Sequence, residues 1–218
     1  MKGYHHQKKG IGILFDDTFI IGGMRTPFGK YCGTLAQVSP TDLGIVASRA
    51  ALQKCKLSPG EIDQLIAANI GQSSYDAYFL PRHISLFTGL PVEIPALMVQ
   101  RICGSGFETL ITGAEQITLG KANSVLCTGT ENMSLSPLVS FGNRMGFTLG
   151  RPAFKDMLWE ALDDTAAGYP MGFTAENVAQ RYQITRQECD AYALSSYNRA
   201  IAAREKKYFE EEITPVNS

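Results

Sequence analysis

The stretch VQRICGSGFETL, residues 99–110, joins an extended run to an amphipathic helix. A lone cysteine, Cys103, is followed there by Gly104, Ser105 and Gly106. Small residues let a substrate carbonyl approach the sulfur, and the start of a helix stabilises negative charge on it, which raises the thiolate fraction. Cys103 is therefore a candidate nucleophile. The alternative is an inert packed cysteine, because free cysteines are among the most buried residues.

Apolar residues recur at steps of three and four after this cysteine and predict a helix that ends at Gly120. We expect the helix to bury one stripe made of Phe107, Leu110, Ile111, Ala114 and Ile117.

Strand-like and helix-like segments alternate on both sides of residues 99–110. Strands are predicted at 18–22, 65–70, 95–100 and 124–128, and helices at 39–50 and 76–89. The first of these helices has Ser39 as its cap and Pro40 at its first position. Alternation of this kind predicts an α/β fold with a mostly parallel sheet between helical layers, and with the ligand site near the strand ends.

The composition limits the classes of protein to which this chain can belong. The chain has 218 residues, 44% of them hydrophobic, which is enough for one large or two small domains. Its 20 basic and 21 acidic residues give no electrostatic footprint for nucleic acid or an anionic membrane. No apolar run reaches the roughly 20 residues of a membrane span, and residues 1–10 lack the apolar region of a secretory signal.

Five scattered cysteines argue against a disulfide framework or a zinc site, because their number is odd and no C-x-x-C pair occurs. We expect a reducing, cytoplasmic location and no metal. Cys127 lies in a predicted buried strand and Cys189 on the packed face of a predicted helix, so both are expected to be structural.

Four segments together resemble the thiolase family, in the family's order and approximate spacing. They are GMRTPFG at 23–29, RICGSG at 101–106, TENMS at 130–134 and GYPMGFTAEN at 168–177. The resemblance implies the N-terminal half of a five-layered αβαβα fold, with part of an inserted loop domain. It divides the chain into a leader at 1–17, for which we expect disorder, an α/β domain at 18–132 and a partial loop domain at 133–218.

The resemblance implies an acyl-CoA C-acyltransferase that forms or splits carbon–carbon bonds through an acyl group on Cys103. Coenzyme A thioesters would be substrates, and no further cofactor is expected. Leu162 and Met171 match positions that line the acyl and pantetheine tunnel of thiolases. Gly104 and Ser105 flank the nucleophile, and Glu131 and Asn132 stand at a strand end where they are expected to support its loop by hydrogen bonds.

Thiolases take a catalytic histidine, an asparagine and a second cysteine from a second half, and the motifs of that half do not occur here. The histidines are His5, His6 and His83, none in a Gly-His-Pro context. We therefore expect a first half that is inactive by itself. Its expected partners are CoA thioesters and either copies of itself, as a dimer or tetramer, or a complementary C-terminal half.

Two other hypotheses remain open at this point. One is a noncatalytic thiolase-fold subunit that docks on a complementary chain, although such a subunit needs no nucleophile. The other is a β-ketoacyl synthase-like condensing enzyme, whose usual cysteine context differs from RICGSG. The glycine-rich segment 134–155 is predicted to form a long loop, and the resemblance implies that this loop takes part in tetramer contacts.

Overall fold

The computed structural model describes residues 4–6, 12–147 and 149–216, and the chain forms two compact units. One unit reaches Ser136 and takes in the residues from Thr214 onward, and the other spans Pro137–Ile213. The boundary at 136/137 lies four residues beyond the one expected from the sequence.

The first unit contains five strands and three α-helices among its described residues. In chain order these are β1 (Tyr4–His6), β2 (Ile13–Phe15), α1 (Pro40–Cys55), β3 (Gln64–Ala68), α2 (Leu80–Thr88), β4 (Ala96–Met98), α3 (Ser105–Thr118) and β5 (Val125–Gly129). Short 3₁₀ turns occur at Pro59–Glu61, Ala77–Phe79 and Met133–Leu135.

The second unit consists of two short hairpin ladders and three helices in its described part. They are β6 (Leu138–Val139), β7 (Lys155–Asp156), α4 (Met157–Glu160), β8 (Asp163–Asp164), β9 (Tyr169–Pro170), α5 (Met171–Tyr182) and α6 (Arg186–Glu205), with a 3₁₀ turn at Asn143–Met145. β6 pairs with β7, and β8 with β9, both antiparallel.

A three-stranded parallel sheet, in the order β4-β3-β5, organises the first unit. Leu65 of the central strand is paired with Ala96 on one side and Leu126 on the other. Because all three strands run in the same direction, their carboxyl ends meet at one edge. The residues that follow the strands, including Cys103 after β4, therefore begin from that edge, as the sequence predicts.

Helices α1 and α2 cover one face of this sheet. Ser39 caps α1 by accepting a hydrogen bond from the Asp42 N–H at 3.0 Å, which confirms the predicted start of the helix. The core on this side consists of Ile45, Leu52, Ile62, Leu65, Ala67, Leu80, Ile84, Leu90 and Leu126. Burial of each such aliphatic side chain contributes about 1.5–3 kcal/mol.

Helix α3 packs on the opposite face, through its small residues. Side chains alternate along a strand, so Leu126 faces α1 whereas Cys127 faces α3. The side chains that α3 buries are Ser105, Thr109 and Gly113, four residues apart. The predicted burial of the apolar stripe is therefore wrong: Phe107 is 75% exposed, and Leu110 and Ile111 are exposed as well.

The predicted strand at 18–22 is also absent. These residues belong to no ladder, and Phe19 and Ile20 are each 79% exposed. Their sequence suits a strand, yet a strand forms only where a neighbouring backbone pairs with it. No strand in the described residues does so. In the leader, β1 and β2 form an antiparallel ladder that pairs His5 with Leu14.

Helices α5 and α6 bury no side chain within the chain. Thr185 and Glu188 form the predicted capping box of α6, but Cys189 is exposed, so its predicted packing role is wrong. The apolar spacing of α6 therefore predicts the helix correctly but not its burial, because no described element of this unit covers its apolar face. Among the described residues, no helix is both long and apolar enough to span a membrane.

The contact between α1 and α2 generates the first prediction. A Cβ on Gly44 would lie 2.5 Å from Cδ1 of Ile84, whose side chain is fully buried in the core. Gly44→Ala should therefore lower the free energy of unfolding by about 1–3 kcal/mol, measured by urea denaturation. Gly60→Ala is the control, because a Cβ there meets nothing within 4 Å. Equal losses for the two variants would contradict this packing.

Candidate active site

Cys103 lies between the end of β4 and the start of α3, and its side chain is exposed. A tight turn holds the backbone on both sides of it. The Gly104 N–H donates to the Arg101 carbonyl at 2.9 Å, and the Ser105 N–H donates to the Ile102 carbonyl at 3.1 Å. The thiol is thus presented to solvent at the carboxyl-end edge of the sheet, by backbone that is itself hydrogen-bonded.

The start of α3 offers two further N–H groups. Those of Gly106 and Phe107 have no acceptor among the described residues, as expected in the first turn of a helix. Both groups and the helix dipole favour negative charge near this end. Gly106 also lies against Gly129 of β5, where a Cβ would be only 3.6 Å from the Gly106 Cα. The sequence prediction that Cys103 precedes a helix start is confirmed.

Ile102, directly before the cysteine, has a φ of +43°. This left-handed backbone is rare for any residue other than glycine and is a genuine outlier for a β-branched one. The conformation turns the chain sharply between β4 and α3. Sequence reasoning missed it, because an isoleucine carries no turn signal.

Residues 101–105 form the cysteine turn, and an ion pair spans this turn on its outer side. Arg101 Nε lies 2.6 Å from Glu108 Oε2, and the arginine side chain is 70% exposed while the glutamate is 18% exposed. Glu108 stands in the first turn of α3, where a carboxylate is favourable, and Arg101 offsets its charge. The seven-residue spacing hides this pair in the sequence.

Cys127 differs from Cys103 in environment. Cys127 lies beneath α3, donates to the Thr109 carbonyl at 3.2 Å, and burial raises the pKa of its thiol to about 11. A Cβ on Gly113 would come within 2.9 Å of its sulfur, so the contact is close. Cys127 is therefore protonated at neutral pH and shielded, as its predicted structural role requires. All five cysteines are free thiols.

Glu131, after β5, holds the loop that follows the neighbouring strand β3. Its Oε2 accepts hydrogen bonds from the N–H groups of Ile70 and Gly71, both at 2.9 Å. Its Oε1 accepts from the Asn69 side-chain amide at 3.0 Å. A single carboxylate thereby organises the residue 69–71 loop at the carboxyl-end edge.

Asn132 joins a different segment. Its Nδ2 group is within hydrogen-bond distance of the carbonyls of Leu35, Ala36 and Val38, at 3.1, 3.1 and 2.7 Å, and its own carbonyl accepts from Ser73 Oγ at 2.8 Å. Neither Asn132 nor Glu131 bonds to the cysteine turn, so their expected support of that turn is corrected. The side-chain hydrogen bonds of that turn are made by the Ser105 hydroxyl, to Arg101 and Ile102, and all three residues lie within residues 99–110.

Leu162 and Met171 meet in the second unit. The Met171 N–H donates to the Leu162 carbonyl at 2.9 Å, next to the β8–β9 ladder. Their side chains are 40% and 46% exposed. Both are thus accessible apolar groups on one short hairpin. Their place in a substrate tunnel stays a prediction.

Comparison with known proteins identifies the family to which the chain is similar. The family model described as thiolase, N-terminal domain, matches residues 18–218. Mitochondrial 3-ketoacyl-CoA thiolase of Mus musculus is 46% identical over 207 residues, which cover 93% of this chain and 51% of that protein. Acetyl-CoA acetyltransferase of Pseudomonas aeruginosa is 38% identical over 208 residues, covering 92% and 51%.

Solved structures agree with this placement. The human mitochondrial 3-ketoacyl-CoA thiolase in complex with CoA superposes with a TM-score of 0.88 at 44% identity, covering 91% of this chain and 50% of that one. The chain belongs to the thiolase family. Within it, the chain corresponds to the N-terminal domain, and it spans about half the length of the curated relatives it matches. The predicted fold, the N-terminal half of the thiolase αβαβα fold, is confirmed.

The contrast between the two thiols gives a prediction about labelling. Iodoacetamide at pH 7.5 should modify Cys103 far faster than Cys127, because one is exposed and the other is buried with a pKa of about 11. Peptide mass spectrometry over time measures both rates in the same sample. Cys127 should react only on unfolding or as the pH approaches its pKa. In urea the two rates should converge, and faster labelling of Cys127 in the folded chain would contradict the assignment.

A further prediction concerns Glu131. Glu131→Gln replaces one acceptor oxygen by an N–H₂ group that faces a backbone donor, so it should lower the free energy of unfolding by about 1–3 kcal/mol. Chemical denaturation measures the loss. Glu115→Gln, an exposed position on α3, makes the same chemical change and should cost less than about 0.5 kcal/mol. If both variants unfold at the same urea concentration, Glu131 does not hold the loop.

Proposed function

We propose that this chain supplies the acyl-accepting half of a thiolase, an acyl-CoA C-acyltransferase that makes or cleaves 3-ketoacyl-CoA. The observation that carries the proposal is the exposed Cys103 in a Cys-Gly-Ser-Gly turn at the start of α3, in a chain of the thiolase family. The relatives named above are 3-ketoacyl-CoA thiolase and acetyl-CoA acetyltransferase.

The chemistry requires a nucleophile that can hold an acyl group and release it again. The Cys103 sulfur attacks the thioester carbonyl of an acyl-CoA, the bond from that carbonyl to the CoA sulfur breaks, and CoA leaves as a thiolate that takes up a proton. The new thioester keeps its carbonyl electrophilic. In condensation, a carbanion from a second acyl-CoA then takes the acyl group, and the Cys103 thiolate leaves. In thiolysis, the Cys103 sulfur instead attacks the 3-keto carbonyl of a 3-ketoacyl-CoA, the bond between C2 and C3 breaks, and the departing carbanion takes up a proton. A CoA thiolate then takes the acyl group and releases the Cys103 thiolate.

The backbone around Cys103 fits the charge that develops in this step. The tetrahedral intermediate carries an oxyanion, and the Cys103 N–H is our proposed first donor to it. The first turn of α3 adds a favourable field. We propose that Leu162 and Met171 line the acyl and pantetheine path, since both present accessible apolar surface.

A complementary C-terminal half is part of the proposal, as a continuation of the chain or as a separate polypeptide. It would supply the histidine that activates Cys103, the second cysteine that removes the α-proton, and a second oxyanion donor. The exposed stripe of Phe107, Leu110 and Ile111 supports such a partner, because contiguous apolar side chains on a helix mark an interaction face. Copies of this chain are the other candidate partner for that face.

The compartment stays a proposal as well. We propose the cytoplasm, because five free thiols persist in a reducing environment. The 3-ketoacyl-CoA thiolase of Mus musculus that it resembles is mitochondrial.

The test combines acylation with complementation. The chain mixed with a thiolase C-terminal half should take up the acetyl group of [¹⁴C]acetyl-CoA on Cys103, located by peptide mass spectrometry, and should cleave acetoacetyl-CoA in the presence of CoA. Groups that act as a unit give almost nothing apart, so either half alone should turn over at least about 10³-fold more slowly. Cys103→Ala should abolish labelling, whereas Cys189→Ala should leave it unchanged.

A mixture that forms a stable complex without labelling Cys103 would contradict the proposal and favour the noncatalytic subunit. Size-exclusion chromatography of the mixture makes the distinction, because it reports complex formation independently of chemistry. A chain that cleaves acetoacetyl-CoA by itself would contradict the need for a second half.

A further inference from the structure

The hydroxyl of Ser105 closes the cysteine turn from inside the protein. It accepts a hydrogen bond from the Arg101 N–H at 2.7 Å and donates one to the Ile102 carbonyl at 2.7 Å. The two bonds tie the peptide group between Gln100 and Arg101 to the peptide group between Ile102 and Cys103, and so bracket the strained Ile102, whose φ is +43°. This arrangement is separate from the ordinary capping of a helix, in which a side chain before the helix accepts from N–H groups within it.

Ser105 has no freedom to turn away from this position. Its side chain is 4% exposed and belongs to the face of α3 that packs on the sheet, with Thr109 and Gly113. The hydroxyl is thus held by the helix and the sheet, and it holds the turn in its place. In contrast, Cys103 is exposed, and its thiol makes no hydrogen bond within the described residues.

Left-handed backbone at an isoleucine persists only where the surroundings impose it. Ile102 is itself 50% exposed and has little packing of its own. Its conformation is held by the backbone hydrogen bonds of Gly104 and Ser105 described above and by the two bonds of the Ser105 hydroxyl, which a side-chain substitution can remove. Without the hydroxyl, we expect φ of Ile102 to return to the ordinary negative range and the peptide that carries Cys103 to rotate with it.

We propose that Ser105 is a positioning residue for the nucleophile: its hydroxyl imposes the left-handed turn at Ile102 and so fixes Cys103 at the start of α3. This inference rests on the proposed function, in which Cys103 accepts the acyl group. Ser105 acts through the backbone and touches no reacting atom.

The test measures the reactivity of Cys103 and the fold separately in the full chain. Alkylation rates of Cys103 by iodoacetamide are determined between pH 6 and pH 9 by peptide mass spectrometry, and thermal unfolding is followed by circular dichroism. Ser105→Ala should lower the rate at pH 7 roughly two- to five-fold and change the rate–pH profile, because the Cys103 sulfur loses its fixed place at the start of α3.

Thr109→Val is the matched control. Thr109 lies one turn further along the same buried face, and its hydroxyl makes a similar bond, to the Gly106 carbonyl at 2.7 Å. This variant should lower the melting temperature but leave the rate–pH profile of Cys103 unchanged. An equal shift of the profile in both variants would show a general loosening of α3 and would overturn the proposal.

Ile102→Gly supplies a second background, since glycine adopts positive φ without strain. Alone it should retain the wild-type profile, because the Ser105 hydroxyl still holds the turn. Adding Ser105→Ala should then cost the same two- to five-fold, as an unclamped glycine samples many conformations. The comparison of Ile102→Gly with the double variant measures the effect of the Ser105 hydroxyl even if Ser105→Ala alone fails to fold. An unchanged profile on removing the hydroxyl in a folded background would overturn the proposal.

The outcomes separate this inference from the proposed function. Alkylation requires no acyl transfer, so the two results are independent. A changed profile in a chain that accepts no acetyl group even when mixed with a C-terminal half would preserve the positioning role and refute the thiolase chemistry. Acetylation of Cys103 in that mixture, with an unchanged profile for the Ser105 variants, would support the thiolase chemistry and refute the positioning role.

Discussion

The close contact between α3 and strand β5 sets the position of everything at the carboxyl-end edge of the sheet. Gly113 leaves room for the Cys127 sulfur, and Gly106 lies against Gly129, so the helix approaches the strand along its small residues. Cys103 lies two residues before the first residue of this helix, so the packing of the helix on the sheet also fixes the position of Cys103. The neighbouring loops are tied to the same edge by Glu131, which bonds to the segment after β3, and by Asn132, which bonds to the segment before α1.

Local signals in the sequence predict the elements well. The cap of α1 at Ser39, the capping box at Thr185 and the start of α3 after Cys103 all rest on hydrogen bonds within a few residues, and such bonds depend little on the rest of the fold. The strand order is less visible. It depends on pairing between segments that are 30 to 60 residues apart, which the residues alone suggest only through the alternation of helices and strands.

Burial and hydrogen-bond partners were harder to predict. The stripe at Phe107, Leu110 and Ile111 has the spacing of a buried face, yet in this chain the sheet takes the opposite face of α3. Periodicity indicates that a face is apolar, not what will cover it. The same reasoning applies to residues 18–22, which have the composition of a buried strand but no neighbouring backbone in the described part of the chain. Glu131 bonds to residues 69–71, a contact for which the sequence carries no short-range signal.

The two faces of α3 have different consequences for how the chain can change over evolutionary time. A Cβ at position 113 would lie 2.9 Å from the Cys127 sulfur, so a larger residue there requires the sulfur or the helix to shift, and this row tolerates few replacements. The outward row at 107, 110 and 111 is 38–75% exposed and lies away from the face that packs on β5, so its mutations leave the sheet contact intact. Sequence drift can therefore alter the outward row without moving Cys103. The exposed face of one helix can thus diverge while the position of the thiol is retained.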